Sequence, residues 1–455
     1  MAIQPNTITS LPDVSIKGAI LSPITGVSID TRSLNAGDLF VAFIGSQVDG
    51  HDFIPKAISR GASAVMASTS WDGCEDWEAS IPLIMTEDPV KSLADLATAH
   101  RKLFDIPLIA ITGTNGKTST KNLVTHILSE QYSVLSTVGN FNNHIGLPIT
   151  LLGLNESHEI AVIEMGASQK GDINYLCEIA QPDQGLITNI NLAHTEFFHD
   201  IETIQATKGE LFQYLGANHG RAFVNMDDER VAQLGQNCPN HIPFSFKVET
   251  ERSFSMAGPD ALGCYDLEFR TYTAHLSQPG KAIALNAAAA ATVALQNGIR
   301  FDQLQEALKR YKGETGRMQH EEIGGVHFYN DAYNANPASV QAGFETMAEI
   351  KTPGRKFLIF ADMLELGTQS VESHIEAAVQ MIETGFDHIV LFGNEVSSSA
   401  NYLKEQGFTS FYYSKDKTQS LQYFLNEIQQ GDLVYLKGSR GMQLEDYVNA
   451  YKENI

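Results

Sequence analysis

The stretch 107-PLIAITGTNGKTST-120 runs from apolar residues through a glycine turn to a Lys-Thr pair. Its first five residues are apolar, which predicts a short buried strand. After the turn, 121-KNLVTHILSE-130 carries apolar residues at helical spacing, which predicts a helix. A strand that passes through a glycine loop into a helix is typical of parallel α/β sheets, so we expect this architecture for the chain.

The loop between this strand and this helix favours the binding of a phosphate. The pattern G-x-x-x-x-G-K-[ST] requires a glycine where Ile111 stands, so the loop is a shorter variant. Unpaired N–H groups at a helix N-terminus still attract an anion. Lys117 can reach the outer phosphates of a nucleotide, and the Thr118 hydroxyl can ligate Mg²⁺. The alternative is an ordinary strand–turn–helix junction with a surface lysine, but Gly-Lys-Thr-Ser in this context favours a nucleoside triphosphate site.

Composition and charge exclude several classes of protein. The chain has 455 residues and a net charge of −23, which argues against wrapping nucleic acid or lying on an anionic membrane. No apolar run reaches membrane-spanning length, and the start, MAIQPNTITSLPDV, lacks the features of a signal peptide. The four cysteines lie far apart without a C-x-x-C pair. We therefore expect a cytoplasmic protein with free thiols.

Three blocks of alternating strands and helices predict three α/β domains. We expect a small N-terminal α/β domain over residues 1–98, a central P-loop-type ATPase domain with a parallel sheet over 99–313, and a C-terminal Rossmann-like domain over 314–455. The predicted strands after the phosphate loop lie at 160–168, 186–194, 222–229, 356–363, 388–395 and 433–441. Ligands of such sheets bind beyond the carboxyl ends of the strands.

Polar residues at strand ends in the central block are candidate metal ligands. Glu164 follows an apolar run where a carboxylate could hold Mg²⁺, and His194 ends the predicted strand 186–194. Taken singly, a solvated glutamate and a structural histidine are the commoner interpretations. Their position at strand ends in the domain that carries the loop favours the metal site. From the sequence alone, Lys208 is most simply a surface lysine on a helix.

Two further loops are rich in hydrogen-bonding groups. The segment 137-TVGNFNNHIGLPITLL-152 contains Asn140, Asn142 and Asn143, which suit a polar ligand, although a turn-rich surface loop is the alternative. In the third block, one loop before a helix gathers several polar side chains: Asp331, Tyr333, Asn334 and Asn336.

Cations of the third block are candidates for anion binding. Lys437 and Arg440, in 437-KGSRG-441, precede a predicted helix and form a plausible carboxylate pocket. Arg317, at the start of the block, could reach back to a phosphate.

With these motifs the chain resembles the Mur ligases, which are ATP-dependent amide ligases of peptidoglycan precursor synthesis. The resemblance covers nearly the whole length and rests on 28-SIDTRS-33, 112-TGTNGKTST-120, 137-TVGNFNNHIGLP-148, 163-IEMGAS-168 and 191-NLAHTEFF-198. The third-domain motifs 331-DAYNANPAS-339, 361-ADMLELG-367 and 437-KGSRG-441 resemble those of the member that joins D-alanyl-D-alanine to UDP-N-acetylmuramoyl-tripeptide. The resemblance therefore implies these two substrates, ATP and Mg²⁺.

The resemblance also implies roles for single residues. Lys117, Lys208 and His194 would be catalytic, and Lys208 would be carbamoylated to support a second Mg²⁺ beside Thr118, Glu164 and His194. The ATP site would comprise Gly113, Thr114, Asn115, Gly116, Lys117, Thr118, Ser119, Asn286, Arg317 and Asp331. The substrates would meet Ser28, Asp30 and Arg32 at the UDP, and Asn140, Asn142, Asn143, Tyr333, Asn334, Asn336, Lys437 and Arg440 elsewhere.

One departure from the family concerns the adenine contact. The family usually carries His-Asn shortly before the residue matching Asn286, where this chain has Ala282 and Ile283. Because ATP contacts come from two domains, we also expect closure of the third domain to assemble the site. A monomer is expected.

Two rival interpretations stay open at this point. One is another ligase on the same scaffold, of the Mur or the folylpolyglutamate type. The other is a nucleotide-binding regulatory protein without catalysis, which would bind ATP and not turn it over.

Overall fold

A computed structural model describes residues 3–45, 47–191 and 200–455, and these residues form three sheets along the chain. The first sheet has the strand order β1-β5-β4-β3-β2, parallel except for the antiparallel edge strand β1. Its elements are α1 Pro5–Thr9, β1 Val14–Lys17, β2 Gly26–Ser28, β3 Asp38–Val41, α2 Ile54–Ser59, β4 Ala64–Ser68, β5 Leu83–Thr86 and α3 Pro89–Arg101.

The second sheet follows with the order β14-β13-β12-β11-β10-β9-β6-β8-β7. Its strands are parallel from β7 to β12, whereas β12, β13 and β14 pair antiparallel. Its elements are β6 Leu108–Thr112, α4 Lys117–Leu128, β7 Val134–Ser136, α5 Gly146–Leu151, β8 Ile160–Glu164, α6 Asp172–Ala180, β9 Gln184–Ile187, α7 Ile201–Ala217, β10 Arg221–Asn225, α8 Glu229–Gly235, β11 His241–Ser245, β12 Arg252–Ala257, β13 Cys264–Phe269, β14 Tyr272–Pro279, α9 Lys281–Gln296 and α10 Phe301–Arg310.

The third sheet has the order β15-β16-β20-β17-β18-β19 and is parallel except for the hairpin of β15 and β16. Its elements are β15 Gln319–Ile323, β16 Val326–Asp331, α11 Pro337–Glu349, β17 Lys356–Ala361, α12 Ser370–Thr384, β18 His388–Phe392, α13 Ser397–Glu405, β19 Phe411–Ser414, α14 Lys417–Glu427, β20 Leu433–Lys437 and α15 Glu445–Asn454.

Helices cover both faces of the central sheet. In β6, Ile109 and Ile111 pack in one cluster with residues of α4 and α9, whereas Leu108 and Ala110 pack in the opposite cluster with α5 and α7. The alanines 287–291 of α9 are buried, and small side chains let α9 approach α4 closely. These layers confirm the α/β class and place the phosphate loop at the carboxyl end of β6.

The structure corrects several predicted elements. Strand β9 ends at Ile187, so the strand expected to reach His194 is shorter, and His194 lies outside the described residues. The antiparallel strands β12, β13 and β14 were not predicted. Alternating burial along β13 and β14, with Ala274 and Leu276 inward, is the period-two signal that could have revealed them.

Helix α3 connects the first and second sheets. The predicted boundary at residue 98 falls inside this helix, and Leu93 and Leu96 belong to one buried cluster with Leu39 of β3 and Leu151 of α5. The boundary at 313 lies between α10 and β15. In the part of the chain that the structure describes, no helix combines the length and apolar character needed to cross a membrane. The four cysteines are buried free thiols, as predicted.

Candidate functional site

The glycine loop after β6 requires its glycines. Gly113 has φ +141° and Gly116, the N-cap of α4, has φ +78°, both in the region that favours glycine. A Cβ would lie 2.0 Å from Thr188 Oγ1 at Gly113 and 2.6 Å from Asn286 Oδ1 at Gly116. Asn286, the predicted adenine contact, therefore packs directly against the loop.

Residues that follow β9 fix the loop from the neighbouring strand. The amide of Thr114 donates to the carbonyl of Asn189 at 2.9 Å, and the amide of Asn115 donates to the Asn189 side-chain oxygen at 3.0 Å. The Thr114 hydroxyl donates to the carbonyl of Asn191 at 3.1 Å. The loop is thus held before any ligand arrives, as a preorganised anion site requires.

Lys117 occupies the centre of this loop. Its ammonium donates to the carbonyls of Gly113 and Thr114, both at 2.9 Å. Burial lowers the pKa of Lys117, and the nearby Arg317 guanidinium lowers it further, while Glu164 opposes this shift.

Glu164, the last residue of β8, lies in a buried polar network. Its Oε1 accepts from Asn142 Nδ2 at 2.8 Å, and its backbone amide donates to the Thr137 hydroxyl at 2.9 Å. Lys121 completes the network by donating from Nζ to the Thr137 carbonyl at 2.7 Å. Among the described residues, the buried Glu164 Oε2 has no hydrogen-bond partner, which is the arrangement expected of a carboxylate that receives a cation.

Sequence reasoning missed Lys121, which is 4% exposed and whose pKa is lowered by burial. A signal was available, because Lys121 lies among the buried positions of α4 beside Thr120, Leu123 and Val124.

The predicted metal ligands are placed as follows. The Thr118 hydroxyl accepts from Arg317 Nη2 at 3.2 Å, and Glu164 lies at the end of β8 as described. Within the described ranges, no three His, Cys, Asp or Glu side chains cluster in a way that could hold a metal ion. Since His194 lies outside those ranges, its part in the predicted set stays a prediction.

Lys208 is buried, so the surface position expected from sequence alone is wrong. It lies on α7 at 4% exposure, and burial lowers its pKa to about 7, with repulsion from Lys117 as the next cause. Helical spacing explains the burial, because Ile204, Leu211 and Phe212 share its side of the helix and are themselves buried.

A cavity of about 390 Å³, the nucleotide cleft, separates the phosphate loop from the third sheet. Arg317 crosses it to Thr118, and Asn336 Nδ2 donates to Asn115 Oδ1 at 2.9 Å. The Arg317 guanidinium also lies 4.1 Å from the ring centre of Tyr333. The predicted residues lining the cleft are Thr114 to Ser119, Asn286, Arg317, Asp331, Tyr333, Asn334, Asn336 and Lys437.

Asp331 and Lys437 form an ion pair at the carboxyl ends of adjacent strands, with Lys437 buried and Asp331 half-buried. Lys437 Nζ lies 2.7 Å from Asp331 Oδ2 and also donates to the Asn334 carbonyl at 3.0 Å. The Tyr435 hydroxyl donates to the same Asp331 oxygen at 3.1 Å. Register in the sheet causes this pairing, because Asp331 and Lys437 are direct partners of β16 and β20.

Lys437 and Arg440 do not form the single carboxylate pocket that the sequence predicted. Lys437 is committed to Asp331, while the Arg440 side chain is 62% exposed and pairs with Glu445 Oε1 at 2.6 Å. Arg440 is not among the described residues that line either cavity. The strand-end position of Lys437 and the outward helical turn that carries Arg440 separate their roles.

A second cavity of about 390 Å³, the acyl cavity, lies on the other side of the phosphate loop. Thr114 and Lys117 line both cavities. The described residues lining the acyl cavity are Gly113, Thr114, Lys117, Asn142, Asn143, His144, Gly166, Ala167, Ser168, Asp172, Tyr175, Leu176, Ile204, Lys208 and Glu365. Two of the three predicted asparagines thus reach it, whereas Asn140 is exposed outside it. Sequence reasoning did not single out Glu365.

The predicted UDP-contacting residues form a tight turn after β2. Arg32 pairs with Asp30 through Nη2 and Oδ2 at 2.7 Å, with the Arg32 side chain 85% exposed. The Ser28 hydroxyl donates to the Asp30 carbonyl at 2.9 Å. These residues do not line the two cavities among the residues described, so the turn lies apart from the phosphate loop.

Family comparisons match the three sheet regions. A family model described as the Mur ligase middle domain matches residues 111–294. The Mur ligase glutamate ligase domain matches 316–440, and the Mur ligase family catalytic domain matches 23–101.

Curated relatives match over nearly the full length. A UDP-N-acetylmuramoyl-tripeptide–D-alanyl-D-alanine ligase of Bacillus subtilis (strain 168) is 31% identical over 453 residues, covering 95% of each chain. The enzyme of the same name from Escherichia coli (strain K12) is 30% identical over 458 residues, covering 98% of each.

Solved structures share the whole architecture. A crystal structure of MurF from Acinetobacter baumannii matches with a TM-score of 0.88 at 26% identity, covering 100% of this chain and 99% of that one. MurF ligase from Thermotoga maritima in complex with ADP matches with a TM-score of 0.81 at 28% identity, covering 94% and 97%. The resemblance that the motifs carried is thereby confirmed, and the chain belongs to the Mur ligase family.

Proposed function

We propose that this chain joins D-alanyl-D-alanine to UDP-N-acetylmuramoyl-tripeptide at the expense of ATP, giving the UDP-linked pentapeptide for peptidoglycan synthesis. The observation that carries the proposal is the position of Lys117 between the nucleotide cleft and the acyl cavity. A phosphoryl donor on one side and a carboxylate acceptor on the other would meet at this ammonium. The B. subtilis and E. coli relatives are named for these two substrates, which supports their assignment.

The nucleotide cleft suits ATP. The glycine loop and Lys117 offer N–H groups and a cation to the phosphates, and Arg317 adds a cation from the third sheet. Asn286 and the neighbouring Ala282 and Ile283 line the cleft and would meet the adenine. The Thermotoga maritima relative was solved with ADP, which supports this use of the cleft.

A Mg²⁺ site fits the residues at the end of β8. Glu164 Oε2, which has no hydrogen-bond partner among the residues that the structure describes, and the Thr118 hydroxyl are oxygen ligands of the kind that Mg²⁺ prefers. His194 is the further proposed ligand. Bound Mg²⁺ would neutralise charge on the phosphoryl group during transfer.

Lys208 fits a carbamoylation site. A pKa of about 7 leaves much of the amine neutral at physiological pH, and only the neutral amine has the free lone pair that attacks the carbon of CO₂. Its nitrogen would form the bond to carbon and lose a proton, so the buried cation would become an anion beside the acyl cavity. That anion would support a second Mg²⁺.

The chain's own residues then position the reactants and stabilise the charge that develops on the phosphoryl group. The tripeptide carboxylate attacks the terminal phosphorus of ATP, the bond to ADP breaks, and an acyl phosphate forms. Lys117 and Arg317 stabilise the charge that spreads during this transfer. The dipeptide amine attacks the acyl carbon, the C–N bond forms, and phosphate leaves. Holding the three reactants in order accounts for most of the catalysis.

The remaining predictions belong to the same proposal. Ser28, Asp30 and Arg32 would hold the UDP, while Asn142 and Asn143 would meet the tripeptide end. Tyr333, Asn334 and Asn336 would contact substrate at the nucleotide cleft. The Asp331–Lys437 pair would hold the backbone of this loop through the bond from Lys437 to the Asn334 carbonyl. The proposed domains are 1–98, 99–313 and 314–455, with helix α3 running across the first boundary, and the chain works as a cytoplasmic monomer.

The decisive experiment measures phosphate release from ATP with UDP-N-acetylmuramoyl-tripeptide, with and without D-alanyl-D-alanine. Release that needs both substrates, with a product heavier by the dipeptide, supports the proposal, and Lys117→Ala should abolish it. Release that depends on a single amino acid or on a folate would support another ligase on the same scaffold. ATP binding without turnover would support the regulatory alternative.

A further inference from the structure

The acyl cavity receives one described residue from beyond the second sheet. Glu365 lies in the segment after β17, and the other described lining residues belong to the region between β6 and α7. The third sheet therefore contributes a carboxyl-bearing residue to the cavity that contains Lys208 and borders Lys117.

The segment that presents Glu365 is braced at successive residues. Asp362 is buried and accepts from two backbone amides, and the next two backbone amides are bound by side chains. The bonds are Val396 N to Asp362 Oδ1 at 2.9 Å, Asn394 N to Asp362 Oδ2 at 2.9 Å, Met363 N to His374 Nε2 at 3.1 Å, and Leu364 N to Ser439 Oγ at 2.9 Å. These contacts fix the backbone immediately before Glu365.

Glu365 itself has φ +65°, in the left-handed region that a glutamate rarely adopts. A residue held there costs about 1–3 kcal/mol and persists where the surroundings determine it, commonly at ligand sites. Glycine would occupy this position without strain, whereas the glutamate found here places a carboxyl group at the lining of the acyl cavity.

The charge of Lys117 bears on which substrate group a carboxylate in the acyl cavity would meet. Lys117 lines the cavity and repels an arriving cation, so an acidic side chain is needed to hold a cation there. Asp172 accepts from the amides of Ser168 and Gln169 through Oδ2. The nucleophile of the proposed reaction is a primary amine, which is largely an ammonium at neutral pH because α-amino groups have pKa values of about 8.

We propose that Glu365 binds the ammonium of the incoming dipeptide and so selects the second substrate at the acyl cavity. This inference rests on the proposed function and adds to it a residue that determines specificity for an amino-terminal cation. Because Glu365 comes with the third sheet, amine recognition would be completed only when that sheet meets the phosphate loop, as Arg317 and Thr118 do here.

The test compares two nucleophiles in Glu365→Gln. D-alanyl-D-alanine carries an ammonium, whereas hydroxylamine is uncharged at neutral pH and traps an acyl phosphate as a hydroxamate. We expect the KM for the dipeptide to rise about tenfold or more, the equivalent of about 1.4 kcal/mol, with hydroxamate formation unchanged. Glu365→Asp keeps the charge and tolerates the left-handed backbone, so it should restore most of the dipeptide affinity.

Glu372→Gln is the matched control. Glu372 is exposed on α12, so this substitution removes the same charge from the same domain. An unchanged dipeptide KM in Glu365→Gln, or an equal loss with both nucleophiles, would overturn the inference. Absence of hydroxamate from the wild-type chain with ATP and the UDP-tripeptide would instead overturn the proposed function, so the two failures are distinct.

Discussion

Arg317 reaches across the nucleotide cleft and donates from Nη2 to the hydroxyl of Thr118 at 3.2 Å. One residue belongs to the segment before β15 and the other to the first turn of α4, so the contact joins the second and third sheets at the phosphate loop. Glu314 pairs with Arg317 Nε at 2.9 Å and orients the guanidinium from behind. This arrangement agrees with an ATP site assembled by two domains.

Replacing Arg317 by lysine should lower kcat about 10- to 100-fold. Lysine keeps the charge but loses the planar fork that contacts Thr118, Glu314 and Tyr333 together. Steady-state phosphate release measures the effect. The control is Arg310→Lys, since Arg310 pairs with Glu130 on the surface. Equal kcat in Arg317→Lys and the wild-type chain would show that the guanidinium geometry is unimportant.

Carbamoylation of Lys208 should depend on pH with a midpoint near 7. Below this pH the amine is an ammonium and cannot take up CO₂, and above it the neutral form predominates. We expect a ¹³C carbamate resonance with labelled bicarbonate at pH 8 that is lost in Lys208→Arg, together with the activity. Lys309→Arg, at an exposed lysine of α10, should keep both. A resonance that survives in Lys208→Arg would assign the carbamate elsewhere.

The same buried amine should shape the pH dependence of stability. In the folded chain the pKa of Lys208 is lowered from 10.5 to about 7, so between these values the unfolded chain holds a proton that the folded chain has released. The free energy of unfolding of the wild type, relative to Lys208→Met, should therefore rise with pH from about 7 to about 10.5 and stay level below 7. Denaturant titrations in CO₂-free buffer measure this difference. A difference that does not change with pH would contradict the lowered pKa.

Lys121→Met should lower the affinity for Mg²⁺ and leave the fold intact. The variant removes the bond to the Thr137 carbonyl, and Thr137 in turn holds the amide of Glu164. Loss of such support around a metal ligand typically costs about 10- to 100-fold in metal affinity or activity. We expect a higher Mg²⁺ concentration for half-maximal rate and no loss of thermal stability. The control is Lys102→Met, at an exposed lysine. The same Mg²⁺ concentration for the half-maximal rate in both variants would refute a role of Lys121 in supporting the metal ligand.

Glycine and alanine should rank in opposite order at positions 365 and 372. At Glu365 the backbone has φ +65°, so glycine should be more stable than alanine by about 1 kcal/mol. At Glu372, inside α12, alanine should be more stable than glycine by up to about 1 kcal/mol. Both pairs lose the same side chain, so lost contacts cancel within each pair. Thermal unfolding of the four variants measures the ranks, and the same order at both positions would refute strain at Glu365.

Local patterns predicted the parts of the site that depend on neighbouring residues. The strand, glycine turn and helix around Lys117 were all readable, because sequence-local chemistry fixes a phosphate loop. Lys208 was misplaced although its burial was readable from the apolar residues at helical spacing around it. A lysine was assumed to lie at the surface, where most lysines do.

Pairings between distant strands could not be predicted in this way. Asp331 and Lys437 are 106 residues apart and meet only because β16 and β20 are neighbours in the sheet. The motif around Lys437 therefore gave no sign of Asp331, the carboxylate that pairs with Lys437 and makes it unavailable to a ligand. The bond from the Leu364 amide to Ser439 Oγ, just before Glu365, has the same non-local origin.

The buried cluster around α3 fixes the distance between the first two sheets. Ile8, Leu39 and Met66 of the first domain share one continuous core with Leu93 of α3 and Leu151 of the second. Interiors packed in this way deform little. The distance between the turn at Ser28 and the acyl cavity is consequently fixed by the packing. If the turn at Ser28 holds the UDP as proposed, a UDP-linked peptide one residue too short or too long would place its carboxylate away from Lys117. Chain length itself would then be a criterion of substrate choice.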